Sequence, residues 1–108
     1  YVAQIAAEDE SLVVQARYDA AAGNLVVDRA VGDALPGRVL ELWLIAGDNP
    51  PISLGVLPDA RTGTVSVTPE LAAVLAGSTL AITDEPPGGS PTGGPTGDVL
   101  AAGQVIDA

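Results

Sequence analysis

The chain contains no cysteine, no histidine, no lysine, no methionine and no phenylalanine, and each absence removes a class of function. Without cysteine there is neither a disulfide framework nor a thiolate metal site, and the redox compartment stays open. Without histidine, cysteine or lysine the common general bases and nucleophiles are gone, which leaves serines, threonines and carboxylates. An enzyme is not expected. Positive charge is scarce: four arginines stand against fourteen carboxylates, for a formal net charge of -10. A nucleic-acid binder needs cations to displace the counterions on phosphate, so that class is excluded. Direct binding to an anionic membrane surface is disfavoured for the same reason. The longest apolar stretch, "VLELWLIAG" from Val39 to Gly47, is interrupted by Glu41 and is far too short to span a bilayer.

What is present is aliphatic. Hydrophobic residues make up 47% of 108 residues, enough for one domain with a real core, and the only aromatics are Tyr1, Tyr18 and Trp43. Period-two alternation recurs along the chain. In "SLVVQARYD" (11–19), Leu12, Val14, Ala16 and Tyr18 share one face, and "NLVVDRA" (24–30) follows after a turn in which Gly23 and Asn24 tolerate positive φ. "RVLELWLIAG" (38–47) places Leu40, Leu42 and Leu44 on one face and Val39, Glu41, Trp43 and Ile45 on the other. Further strands are expected at 52–58, with Ile52, Leu54 and Val56 on one face, and at 64–68, 78–85 and 98–108. One helix is predicted over 69–77, with Thr68 as N-cap, Pro69 in the first turn and Gly77 beyond its end. Six or seven short strands, turn signals between them and no helices to connect parallel strands predict a single antiparallel β-sandwich over 1–108.

The stretch "DEPPGGSPTGGPTGDVLAAG" (84–103) invites a phosphate-loop reading, which fails. It has no lysine, Pro91 and Pro95 lack amide hydrogens, and a strand follows where a helix is required. A proline-stiffened connection between two strands of one sandwich fits better, and long ordered loops are often functional. Asp84 and Glu85 are adjacent, so in a strand they point to opposite faces and cannot form a catalytic pair. Asp48 with Asn49, and the run Glu8–Asp9–Glu10, offer oxygen ligands but no spaced calcium series. No metal or cofactor is expected. Trp43 reads either as a plug on a central strand or, were its face open, as a contact patch. The candidate partner-contact residues are therefore Trp43 and the loop residues Pro87, Gly88, Gly89, Ser90, Pro91, Thr92 and Gly93. An exposed sheet edge is a further candidate.

"LELWLIAGDNPPISLGVL" (40–57), "TVSVTPELA" (64–72) and "LAITDEPPGGSPTGGPTGDVLAAG" (80–103), in this order, resemble the C-terminal domain of anti-sigma-K factors. The resemblance covers roughly residues 38–106, and the lysine-free, alanine-rich composition fits an actinobacterial source. It implies an extracytoplasmic sensory or regulatory domain of a single-pass membrane protein. In that family a cytoplasmic N-terminal domain holds the sigma factor, and regulated proteolysis releases it. Sigma would then be a partner only through an N-terminal domain that this chain lacks, with an envelope protein or protease as a possible second partner. The opening "YVAQIAA", without methionine, reads as a piece cut from a longer protein. The alternative is a secreted β-sandwich module binding envelope glycans or a protein.

Overall fold

The structure, a computed structural model, describes residues 1–107. Eight strands follow in chain order: β1 (Val2–Ala6), β2 (Val13–Asp19), β3 (Asn24–Val31), β4 (Val39–Ile45), β5 (Ile52–Val56), β6 (Thr62–Ser66), β7 (Thr79–Glu85) and β8 (Val99–Gln104). Between β6 and β7 lies the short helix α1 (Pro69–Ala73). The strands form one sheet in the order β5-β4-β7-β8-β1-β2-β3-β6, and every neighbouring pair is antiparallel. The two outermost strands, β5 and β6, approach each other, so the sheet curls almost to closure. The result lies between a sandwich and a barrel, and the all-β antiparallel class expected from the alternation holds.

Alternation decides which side chains are enclosed. Ile5, Val14, Leu25, Val27, Leu40, Leu42, Leu44, Val65, Leu80 and Ile82 all belong to one aliphatic core. Burying a branched aliphatic side chain is worth about 1.5–3 kcal/mol, so a core of this kind holds the sheet without aromatic help. The connection between β5 and β6 is tied to β3 by arginine. The Arg29 guanidinium donates to the Asp59 carbonyl (3.0 Å) and Arg61 donates back to the Arg29 carbonyl (3.0 Å).

Four expectations are corrected. β1 has no counterpart among the predicted strands, because "VAQIA" is short and lies beside the acidic run; its alternation still buries Ala3 and Ile5. Ile52 and Val56 do not share a face. A register shift sets Ile52 opposite Leu44 and Val56 opposite Glu41, with Gly55 at φ 118°, and such a bulge re-aims the residues beyond it. The helix is shorter than predicted: Thr68 caps it as expected, accepting from the Leu71 amide, but it ends at Ala73 with Val74 as C-cap. The last predicted strand closes at Gln104; Ile106 still bridges to Val2, and Ala108 lies outside the described residues.

Candidate functional site

The registers fix a polarity. Val2 lies opposite Arg17 and bridges Ile106, so Tyr1 and the last described residues sit at the same end of the sheet. Ala6 lies opposite Val13, Val13 opposite Val31, and Val39 opposite Glu85, so these positions mark the other end. Four connections gather there: 7–12, 32–38, 57–61 and the glycine-proline loop 86–97. The end with Tyr1 carries only the turns 20–23 and 46–51 and the α1 segment. The longest connection, the glycine-proline loop, is thus opposite the point at which the chain enters, and long ordered loops are where binding surfaces concentrate.

The loop 86–97 does not hang free. β4 and β7 bury both of their faces: beyond the core side, Glu41, Trp43, Ala81, Thr83 and Glu85 are buried on the outer side. On this side the Trp43 indole N–H donates to the Thr83 hydroxyl (2.8 Å), which donates to the Glu85 carboxylate (2.6 Å). Glu85 also accepts from the Thr96 hydroxyl (2.5 Å), the Thr96 amide (3.2 Å) and the Gly97 amide (3.3 Å). Glu41 accepts from the Ser53 hydroxyl and from the Ser90 amide (2.6 Å). Two carboxylates rising from adjacent strands therefore seize the loop at two points, Ser90 and Thr96–Gly97. Within the loop the Ser90 hydroxyl donates to the Gly94 carbonyl.

Two glycines make this fit possible. A Cβ at Gly97 would overlap the Asp84 carbonyl, and one at Gly89, where φ is 95°, would press on Glu41 and Val56. Burial by itself works against a charge on Glu85, but the hydroxyls of Thr83 and Thr96 and the amides of Gly97 and Thr96 outweigh it. Its carboxyl is held below the ordinary glutamate range. Asp84 points to the other face, as expected, where Arg38 meets its carboxylate (3.1 Å) and its carbonyl (3.3 Å).

Of the candidate contact residues, the structure brings seven into one segment and encloses the eighth. Pro87, Gly88, Pro91, Thr92 and Gly93 are exposed, Ser90 is half-buried, and Gly89 is buried against Glu41 and Val56. Trp43 is 0% exposed, on the outer face of β4 rather than in the main core. It offers no stacking ring for sugar in this arrangement. Sequence reasoning missed Glu41 and Glu85 as anchors. The signal was a lone carboxylate at Glu41 inside an apolar strand, on the same face as the single tryptophan.

Elsewhere the acidic side chains are solvated. In the 7–12 connection Asp9 accepts from the Ser11 hydroxyl (2.6 Å) and the Ser11 amide (3.0 Å), which lower its carboxyl below the ordinary range. Among the described residues no group of three or more carboxylates is arranged to hold a metal ion. No helix among them is long and apolar enough to cross a membrane.

Fold and site together define a class: a small all-β module with an ordered loop at one end, held by buried carboxylates. The family model for the anti-sigma-K factor rskA C-terminal region matches residues 1–99, and the chain belongs to that family. It is similar to the anti-sigma-K factor RskA of Mycobacterium tuberculosis, with 39% identity over 82 residues, in strains H37Rv, Erdman and H37Ra alike. Each match covers 72% of this chain and 32% of the relative, so the chain spans about a third of the length of these relatives. No solved structure matches it significantly.

Proposed function

We propose that this chain is the extracytoplasmic regulatory domain of a membrane-anchored anti-sigma factor. In this reading the sigma factor is bound by a separate N-terminal domain, and regulated proteolysis of the anchor releases it to direct transcription. The domain takes no part in that chemistry. It controls access to the membrane-proximal segment, either by shielding that segment or by presenting it to a protease once a partner engages the far end.

The observation that carries the reading is the polarity of the sheet taken with family membership. Tyr1 enters at one end, and the glycine-proline loop stands at the other with three further connections. A domain tethered through Tyr1 directs the loop 86–97 away from its tether. β1 alone spans about 16 Å at a rise of ~3.3 Å per residue, so the display end is held clear of the anchor. The rival glycan-binding reading needs an exposed aromatic platform, and the enclosure of Trp43 removes the best one.

The test is deletion of residues 1–107 from the full-length protein in its own cell. Sigma-dependent transcription and the amount of cleaved anchor are expected to change together. Unchanged levels of both would defeat the proposal. Reporter fusions that placed Tyr1 on the cytoplasmic side would defeat the topology.

A further inference from the structure

We propose that the end of the sheet opposite Tyr1 carries a docking groove for an extended peptide segment of a partner protein, one that combines cationic and aliphatic side chains. The inference concerns this chain's own surface and does not depend on the regulator reading.

The groove begins where β1 leaves β8. Their ladder registers Ala6 opposite Ala102, and two residues further it would set Leu100 opposite Glu8. By then the chain has already turned: the Ala7 amide donates to the Leu12 carbonyl and the Glu10 amide to the Ala7 carbonyl, closing the 7–12 connection away from β8. Val99 is paired to Thr83 of β7, Leu100 bulges between that pair and Ile82–Ala101, and both are open on the other side. A notch results, walled by Ala6, Ala7 and Glu8 on one strand and Val99 and Leu100 on the other. It continues past Leu100 into a hollow of about 270 Å³ lined by Leu12, Leu35 and Leu100 with Ser11 and Asp33. Leu35 is 55% exposed and Val99 63% exposed, large values for side chains of this kind. The notch and the hollow, about 340 and 270 Å³, lie open side by side along the end of the sheet, so the groove suits successive side chains of an extended ligand.

Charge selects the occupant. Glu8, Asp9, Asp33 and Asp98 surround the apolar floor. Of these four carboxylates only Asp33 has a cationic partner among the described residues, Arg29 at 3.3 Å, and the Asp33 side chain is still 76% exposed. A second copy of a chain with net charge -10 would meet like charge here, and an acidic peptide would be repelled. A cationic strand is attracted. It can hydrogen-bond to the open edge of β8, seat alternate aliphatic side chains on Leu12, Leu35 and Leu100, and turn its cations toward the rim, as in strand addition to a sheet edge.

The experiment titrates the 108-residue chain with three fluorescein-labelled decapeptides: one alternating arginine with leucine or valine, one with serine at the aliphatic positions, and one with glutamate at the arginine positions. Anisotropy at low and high salt is read beside amide NMR shifts. Saturable binding of the first peptide alone is expected, with shifts at Val99, Leu100 and Leu35. Leu35→Ser, at an exposed site, is expected to weaken binding about tenfold, as loss of a groove anchor does. Asp98→Asn should weaken it less and flatten its salt dependence. Enclosed Trp43 emission serves as the check that each variant is folded. Equal binding of the serine peptide would mean attraction of any polycation to an acidic surface, and would overturn the proposal. So would no binding, shifts confined to the 86–97 loop, or self-association that Leu35→Ser abolishes.

Discussion

Replacing Glu85 by alanine removes the acceptor on which the loop anchor converges. The substitution strands the Thr96 and Gly97 amides and the Thr83 and Thr96 hydroxyls, all of which point at a carboxylate that is 0% exposed. Hydrogen bonds to a charged group contribute about 1.5–3 kcal/mol each, and an orphaned buried donor costs about 1–3 kcal/mol. The terms do not add, because the loop can lift and hydrate its own donors, which caps the loss. A destabilisation of about 3–5 kcal/mol is expected, the size of one or two lost bonds to a charged acceptor with an orphaned donor left behind. That is a large share of the roughly 5–15 kcal/mol available to a small domain. Urea unfolding followed by Trp43 emission should show the midpoint fall by at least about 1 M at ordinary slopes. Native-state quenching by acrylamide, which is neutral and so indifferent to the acidic surface, should rise as the outer face opens. A loss under about 0.5 kcal/mol, the range of an ordinary surface substitution, together with unchanged quenching would refute the clamp. The same residue gives an acid signature. Because its folded-state affinity for the proton is depressed, Glu85 stabilises the fold fully above the ordinary glutamate pKa of about 4.3. That contribution is lost as pH falls through the lowered folded value. Glu85→Gln keeps the shape and loses the charge, so it should be destabilised near neutrality and converge on the parent chain in acid. Parallel pH profiles for the two would count against the assignment.

Three further outcomes follow from the same geometry. Trp43→Phe removes the indole donor to Thr83 and part of an enclosed ring, and should lower stability by about 1–3 kcal/mol in thermal or urea unfolding. Gly97→Ala drives a methyl into the Asp84 carbonyl and should be destabilised by about 1–3 kcal/mol, whereas Gly94→Ala, with nothing within 4 Å, should stay within about 0.5 kcal/mol of the parent. Limited digestion with a broad-specificity protease should leave 86–97 intact in the parent and cut it at least about tenfold faster in Glu85→Ala, since cleavage tracks the open population. Equal cutting rates would show that the loop is mobile despite its anchors.

The strands carrying large aliphatic residues were legible because alternation is a direct imprint of one-sided burial: Leu12, Val14 and Ala16, or Leu40, Leu42 and Leu44, lie inward as their spacing says. β1 was not legible, since five residues with two alanines give a faint pattern. The bulge in β5 was hidden for another reason. Gly55 announces freedom of φ, but only pairing with β4 shows that the freedom is used to turn Val56 outward. The loop was legible as a loop, and its prolines excluded a phosphate site. Its anchors were not, because Glu41 and Glu85 lie 44 residues apart in sequence and meet one segment only after β4 and β7 pair in register. Sequence placed Glu41 beside Trp43 on one face; it took the fold to show that face closed.

The anchoring of the loop also bears on how such a domain can signal. A free thirteen-residue connection would lose conformational entropy on meeting a partner, about 1–2 kcal/mol for each backbone residue fixed. Here much of that cost is met on folding, because Ser90, Thr96 and Gly97 are already held by buried carboxylates. Pro87, Gly88, Pro91, Thr92 and Gly93 are then presented in a fixed shape, which favours recognition without rearrangement. The same anchoring ties the loop to β4 and β7, which reach back to the end where Tyr1 enters. A partner that pulled Ser90 or Thr96 from its carboxylate would leave Glu41 with only Ser53, or Glu85 with only Thr83 and Gly97, on strands that run the length of the sheet. Under the proposed function, engagement at the far end would reach the entry point through β4 and β7, and Glu85→Ala in the full-length protein should weaken that link while leaving the groove beside Leu35 able to bind.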